Sequence, residues 1–116
     1  MIIDSLLSPT TMDSRNMFDR NLVEVGKLMC RLQYRTIGDL TEIFRLFGEC
    51  VMIMQKDEQM SAYARTAFDL LSESIRISIV ANSSGFKHQD EVENVDRQIT
   101  LLLNFLTQAS ANTRLQ

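Results

Sequence analysis

Histidine occurs once in this chain, at His88, and tryptophan not at all. Asp90 and Glu91 follow His88 closely, but no nucleophile stands beside them at a catalytic spacing. The two cysteines, Cys30 and Cys50, form no CxxC pair and supply no third metal ligand. Neither an H-E-x-x-H helix nor a helical E-x-x-H pair occurs, and the four glycines make no phosphate-cradling loop. The chain therefore reads as non-enzymatic, with no catalytic residue, cofactor or metal site. Asp90, Glu91, Glu93 and Asp96 sit where a helix begins, and stabilisation by the helix dipole explains them.

Basic charge is also short. The formal charge is −3 and the pI near 5.1, where a nucleic-acid binder draws much of its affinity from an excess of Lys and Arg. A helix-turn-helix pivoting on Gly48 fails for a second reason. The residues that follow, Glu49 to Met54, offer none of the Arg, Lys, Asn or Gln set that reads base edges. No apolar run approaches the roughly 18 residues of a spanning helix. Met1-Ile-Ile-Asp carries an acid where a leader peptide carries basic residues. These features predict a cytoplasmic protein that neither inserts into membranes nor binds nucleic acid.

Proline appears once, at Pro9, so little interrupts the hydrophobic pattern that fills the chain. The most apolar stretch is 36–55. Leu40, Ile43, Phe44, Phe47, Cys50, Val51 and Met54 recur every three or four residues and share one face of a helix. Met52 and Ile53 lie off that face and widen it beyond what one neighbour covers. Thr36 and Asp39 have the spacing of a capping box.

Three further stripes follow the same rule. Phe18, Leu22, Val25, Met29 and Leu32 predict a helix over about 13–35, capped by Asp13 or Ser14. Met60, Ala64, Ala67, Phe68, Leu71, Ile75 and Ile79 predict one from about 58 to 82, closed by Gly85. Tyr63, Leu70, Ile77 and Ala81 extend that stripe on one flank, and its serines and alanines permit close helix approach. Val92, Val95, Ile99, Leu102, Leu106 and Ala109 predict a fourth, from about 90 to 110. The polar stretch 56–59 marks a break with Asp57 as its cap. No 34-residue repeat is present, so a tetratricopeptide array is excluded.

The expected fold is all-α: a compact antiparallel four-helix bundle over 13–110. An apolar lead, residues 1–12, carries Ile2, Ile3, Leu6 and Leu7 and ends at the Ser8-Pro9-Thr10-Thr11 break. It is either a docking helix or a loose end. A polar tail, 111–116, is expected to fray. Both cysteines fall at positions that read as buried, and reduced core thiols are the favoured state over a bridge between the first two long helices.

Function reduces to binding. Met52, Ile53, Leu101, Leu103 and Phe105 are the apolar side chains in excess of one core. Lys27, Arg31 and Arg35 line a basic edge of the first long helix, which is either solvated surface or a dock for an acidic partner. The reading is a small protein-binding regulator or adaptor acting through a helical surface, with a homodimer as one form. The alternative is an assembly or secretion-type chaperone that shelters an apolar client helix.

Overall fold

A computed structural model of the chain describes residues 2–32 and 36–114, with side chains described for 13–32 and 36–113. Four α-helices make up this part, with no strand among the described residues. They are α1 (Ile2–Arg31), α2 (Ile37–Lys56), α3 (Ala64–Ser83) and α4 (Gln89–Arg114), with a single 3-10 turn, Ser61–Tyr63, ahead of α3. Each helix packs against its two neighbours in the order α1–α2–α3–α4–α1. α2 and α4 thus lie on one diagonal of the bundle.

The ends of α2 and α3 follow local chemistry. Thr36 Oγ1 accepts from the Asp39 N–H at 3.2 Å, and the Asp39 carboxylate accepts from the Thr36 N–H at 3.0 Å. Asp57 ends α2 in extended conformation, and its Oδ1 accepts from the N–H groups of Gln59 and Met60. That turn reverses the chain without Gly or Pro, because a side-chain oxygen takes the place of the lost backbone acceptors. α3 closes through two successive left-handed residues, Gly85 (φ 69°) and Phe86 (φ 59°). The Phe86 N–H reaches back to the Ala81 carbonyl at 2.9 Å. A phenylalanine in this region is strained, and packing of its half-buried ring against the core offsets the cost.

The core comes from the predicted stripes of α1, α2 and α4. Phe18, Val25, Leu40, Ile43, Phe47, Met54, Val95, Ile99, Leu102 and Leu106 are sealed from solvent. Met29 and Leu32, at the end of the α1 stripe, are only partly buried.

Several expectations need correction. α1 does not break at Pro9 or begin at Asp13; it runs from Ile2. A proline deletes one N–H from the helical ladder, and here the helix continues on both sides of it. The side chains of Ile2, Ile3, Leu6 and Leu7 lie outside the described residues. α4 does not end at Ser110 but runs to Arg114, with Thr113 buried. Cys30 is exposed while Cys50 is buried, and both are free thiols.

The largest correction concerns α3. Its buried face is Ala64, Ala67, Leu71, Ser74, Ile77, Ser78 and Ala81. Phe68 and Ile79, expected in the core, are 51% and 57% exposed. Small side chains on the Ala/Ser face let neighbouring helices approach closely, so α3 turns that face inward. The hydroxyls of Ser74 and Ser78 stay satisfied by donating to the carbonyls of Leu70 (2.9 Å) and Ser74 (2.8 Å). No buried side-chain polar atom among the described residues lacks a partner.

Candidate functional site

Met52 lies off the face that α2 presents to the core and is 58% exposed. Ile53, beside it, is half-buried against the core. With Met17 of α1 they supply the apolar surface of an open groove of about 350 Å³ between the first two helices. Ser14, Glu49, Lys56 and Asp57 complete its lining. A second depression of about 530 Å³ shares Met17 and Glu49 with the first. It continues past Arg20 and Val23 to Lys27 on α1, and past Leu46 and Arg45 to Glu42 on α2. Ser14 to Lys27 spans about 20 Å of helix at 1.5 Å per residue, enough to lie alongside three to four turns of a partner helix.

Polar contacts hold the two walls in register. Asn21, buried in α1, donates from Nδ2 to the Leu46 carbonyl at 3.4 Å and to Glu49 Oε1 at 3.0 Å. At the end of the groove, Arg15 Nη1 lies 3.4 Å from Asp57 Oδ2. Its Nη2 donates to Thr113 Oγ1 at 3.0 Å and to the Ser110 carbonyl at 3.3 Å. Ser110 in turn donates to Asp19 at 3.1 Å. One guanidinium thus ties α1 to the end of α2 and to the last turn of α4.

The walls differ in charge. On α2, Arg45 bridges Glu42 and Glu49. Its guanidinium holds the Glu42 carboxyl below the usual carboxylate range, chiefly through the hydrogen bond between them. Two carboxylates around one guanidinium leave that part of the wall net negative. On α1, Arg20, Lys27 and Arg31 make no ion pair among the described residues, and neither does Glu24. The α1 wall is therefore net positive. Lys56, on α2 at the far end, likewise makes no ion pair among the described residues.

The structure brings together only part of the predicted site. Met52, Ile53 and Lys27 line the groove, and Arg31 is exposed one turn beyond Lys27. Arg35 lies outside the described residues. Leu101, Leu103 and Phe105 are on α4, across the diagonal from Met52 and Ile53. Leu101 is 49% exposed. Phe105 is half-buried, its ring edge-on to Tyr63 with centroids 6.2 Å apart. Leu103, half-buried, emerges on the other side of α4. Met17 and Arg15 were missed, because neither belongs to the apolar stripe or to the basic edge.

His88 is exposed in the α3–α4 loop. Among the described residues, no cluster of His, Cys, Asp and Glu is arranged to hold a metal ion, and no helix is long and apolar enough to cross a membrane. The chain matches no family model, no curated protein and no solved structure.

Proposed function

We propose that this protein is a binding module, a small regulator or adaptor, whose α1–α2 groove receives an amphipathic helix of a protein partner. The observation that carries this reading is the groove itself: Met17, Met52 and Ile53 between walls of opposite charge. Apolar helix-in-groove contacts supply affinity, and methionines adapt to the partner's side chains. The wall charges supply orientation. The partner helix carries acidic residues on the edge facing Arg20, Lys27 and Arg31, and neutral or basic residues on the edge facing Glu42 and Glu49.

The test is selection from a displayed library of helical peptides, followed by affinity measurement with purified peptides. The expected winners are amphipathic with one acidic edge. They should bind more than roughly tenfold more weakly to Met52→Asp and measurably more weakly to the Lys27→Glu/Arg31→Glu double variant. Basic winners, or winners indifferent to Met52→Asp, would sink the reading. A chaperone for apolar clients predicts something else: binding that follows peptide hydrophobicity whatever the charge of the edges.

A further inference from the structure

We infer that α3 carries a second interaction surface, separate from the groove, whose partner is a second copy of this chain bound antiparallel across α3. Phe68, Ile75 and Ile79 fall within about 40° of one another at 100° per residue. They form a narrow apolar stripe about 16 Å long at 1.5 Å per residue. Phe68 and Ile79 are more than half exposed, and Ile75 is half-buried. Ser72 lies beside the middle of the stripe and is exposed.

What identifies the occupant is the symmetry of the charges beside that stripe. A two-fold axis between Ser72 and Glu73 sets Phe68 of one copy at the level between Ile75 and Ile79 of the other. The same register sets Asp69 opposite Arg76, twice, on the same rim. Both groups have capacity to spare. Arg76 gives Nε and Nη2 to Glu73 in its own chain, leaving Nη1 uncommitted. Asp69 meets Arg65 through Oδ1, at 3.6 Å, leaving Oδ2 uncommitted. Ser72 falls at the crossing point, where a small side chain lets two helices approach. A self-complementary patch of this kind is what an isologous dimer requires.

The patch is small beside the roughly 800 Å² per partner of a standard interface. The dimer is accordingly weak, in the micromolar range, and dissociates on dilution.

Sedimentation equilibrium of the full chain over a wide concentration series tests this. The expected result is a reversible monomer–dimer equilibrium, lost in Ile79→Glu with the helical circular dichroism unchanged. The charge register has its own test, which stands even if Ile79→Glu misfolds. Asp69→Arg alone and Arg76→Asp alone should each weaken association by more than roughly tenfold, and the two together should restore it. A chain that stays monomeric at several hundred micromolar overturns the proposal. So does a dimer indifferent to Ile79→Glu, or a double charge swap no tighter than either single variant.

Discussion

Two regions hold the helices of this bundle together, and they work by different physics. One is the dry layer around Phe18, Phe47 and Cys50, where α1 and α2 meet through apolar contact. The other is the polar joint at Arg15, where Asp57, Ser110 and Thr113 converge from α2 and α4. In the dry layer each side chain is one of many, and its contribution scales with the area removed from water. In the joint one cation serves several acceptors, and losing it removes the charge beside the largely buried Asp57 carboxylate and the bonds that cross from α1 to α4, while Asp57 and Thr113 keep their local hydrogen bonds. The apolar layer supplies most of the stability. The joint sets where helices of unequal length stop relative to one another.

Substitutions can separate the two. Phe47→Ala should have the largest effect, about 3–5 kcal/mol of unfolding free energy, read from the chemical denaturation midpoint. A near-neutral result would remove Phe47 from the core and with it the assigned face of α2. Arg15→Ala should cost about 1–3 kcal/mol, with hydrogen exchange quickening first in the last turn of α4. Arg15→Lys should recover only part of this, since an ammonium does not reproduce the fork that spans Asp57 and Thr113. If exchange at Ser110–Thr113 is unchanged in Arg15→Ala, the joint does not anchor α4.

The dry layer also has a pH signature. Burial pushes the Cys50 thiol from 9.0 up to about 12, against a smaller lowering by its contact with Asn21. The thiol stays neutral in the folded chain at pH values where the unfolded chain ionises. Its contribution is therefore complete below pH 9 and is lost progressively as the pH rises toward 12. Relative to Cys50→Ala, the native chain should lose about 1 kcal/mol by pH 10. Parallel stability curves for the two proteins from pH 8 to pH 11 would show that Cys50 is not sealed as described. The smallest effect belongs to the surface: Met52→Ala should change stability by less than about 0.5 kcal/mol while weakening any helix bound in the groove.

How much of this was legible beforehand follows from the same contrast. The stripes of α1, α2 and α4 repeat at helical spacing, so periodicity alone placed Phe18, Phe47 and Leu102 inside. The Thr36 box and the Asp57 turn were legible because their partners lie two or three residues away. Arg15 was not, because its partners stand 42 and 98 positions along the chain. Thr113 left a trace, since it continues the spacing of Leu106 and Ala109, yet its polarity marked it as tail. α3 misled because two faces compete. Phe68 and Ile79 are the larger hydrophobes, but the Ala/Ser face packs closer, and hydrophobicity per residue does not measure how near two helices can come. For the groove, α2's surplus of apolar perimeter at Met52 and Ile53 was visible, while Met17 opposite them was not.

The sequence by itself determined that this chain is helical, where α2 starts and stops, and which faces of three helices must leave water. These are local properties, set by side-chain spacing, capping oxygens and the near absence of proline. The tertiary structure alone decided which face of α3 turns inward, that α1 and α4 run longer than their apolar stripes, and that Met52 lies in a groove while Leu101 stands on the opposite diagonal. Those outcomes depend on how four helices share one volume, and on contacts between residues that only the folded chain brings within reach of one another.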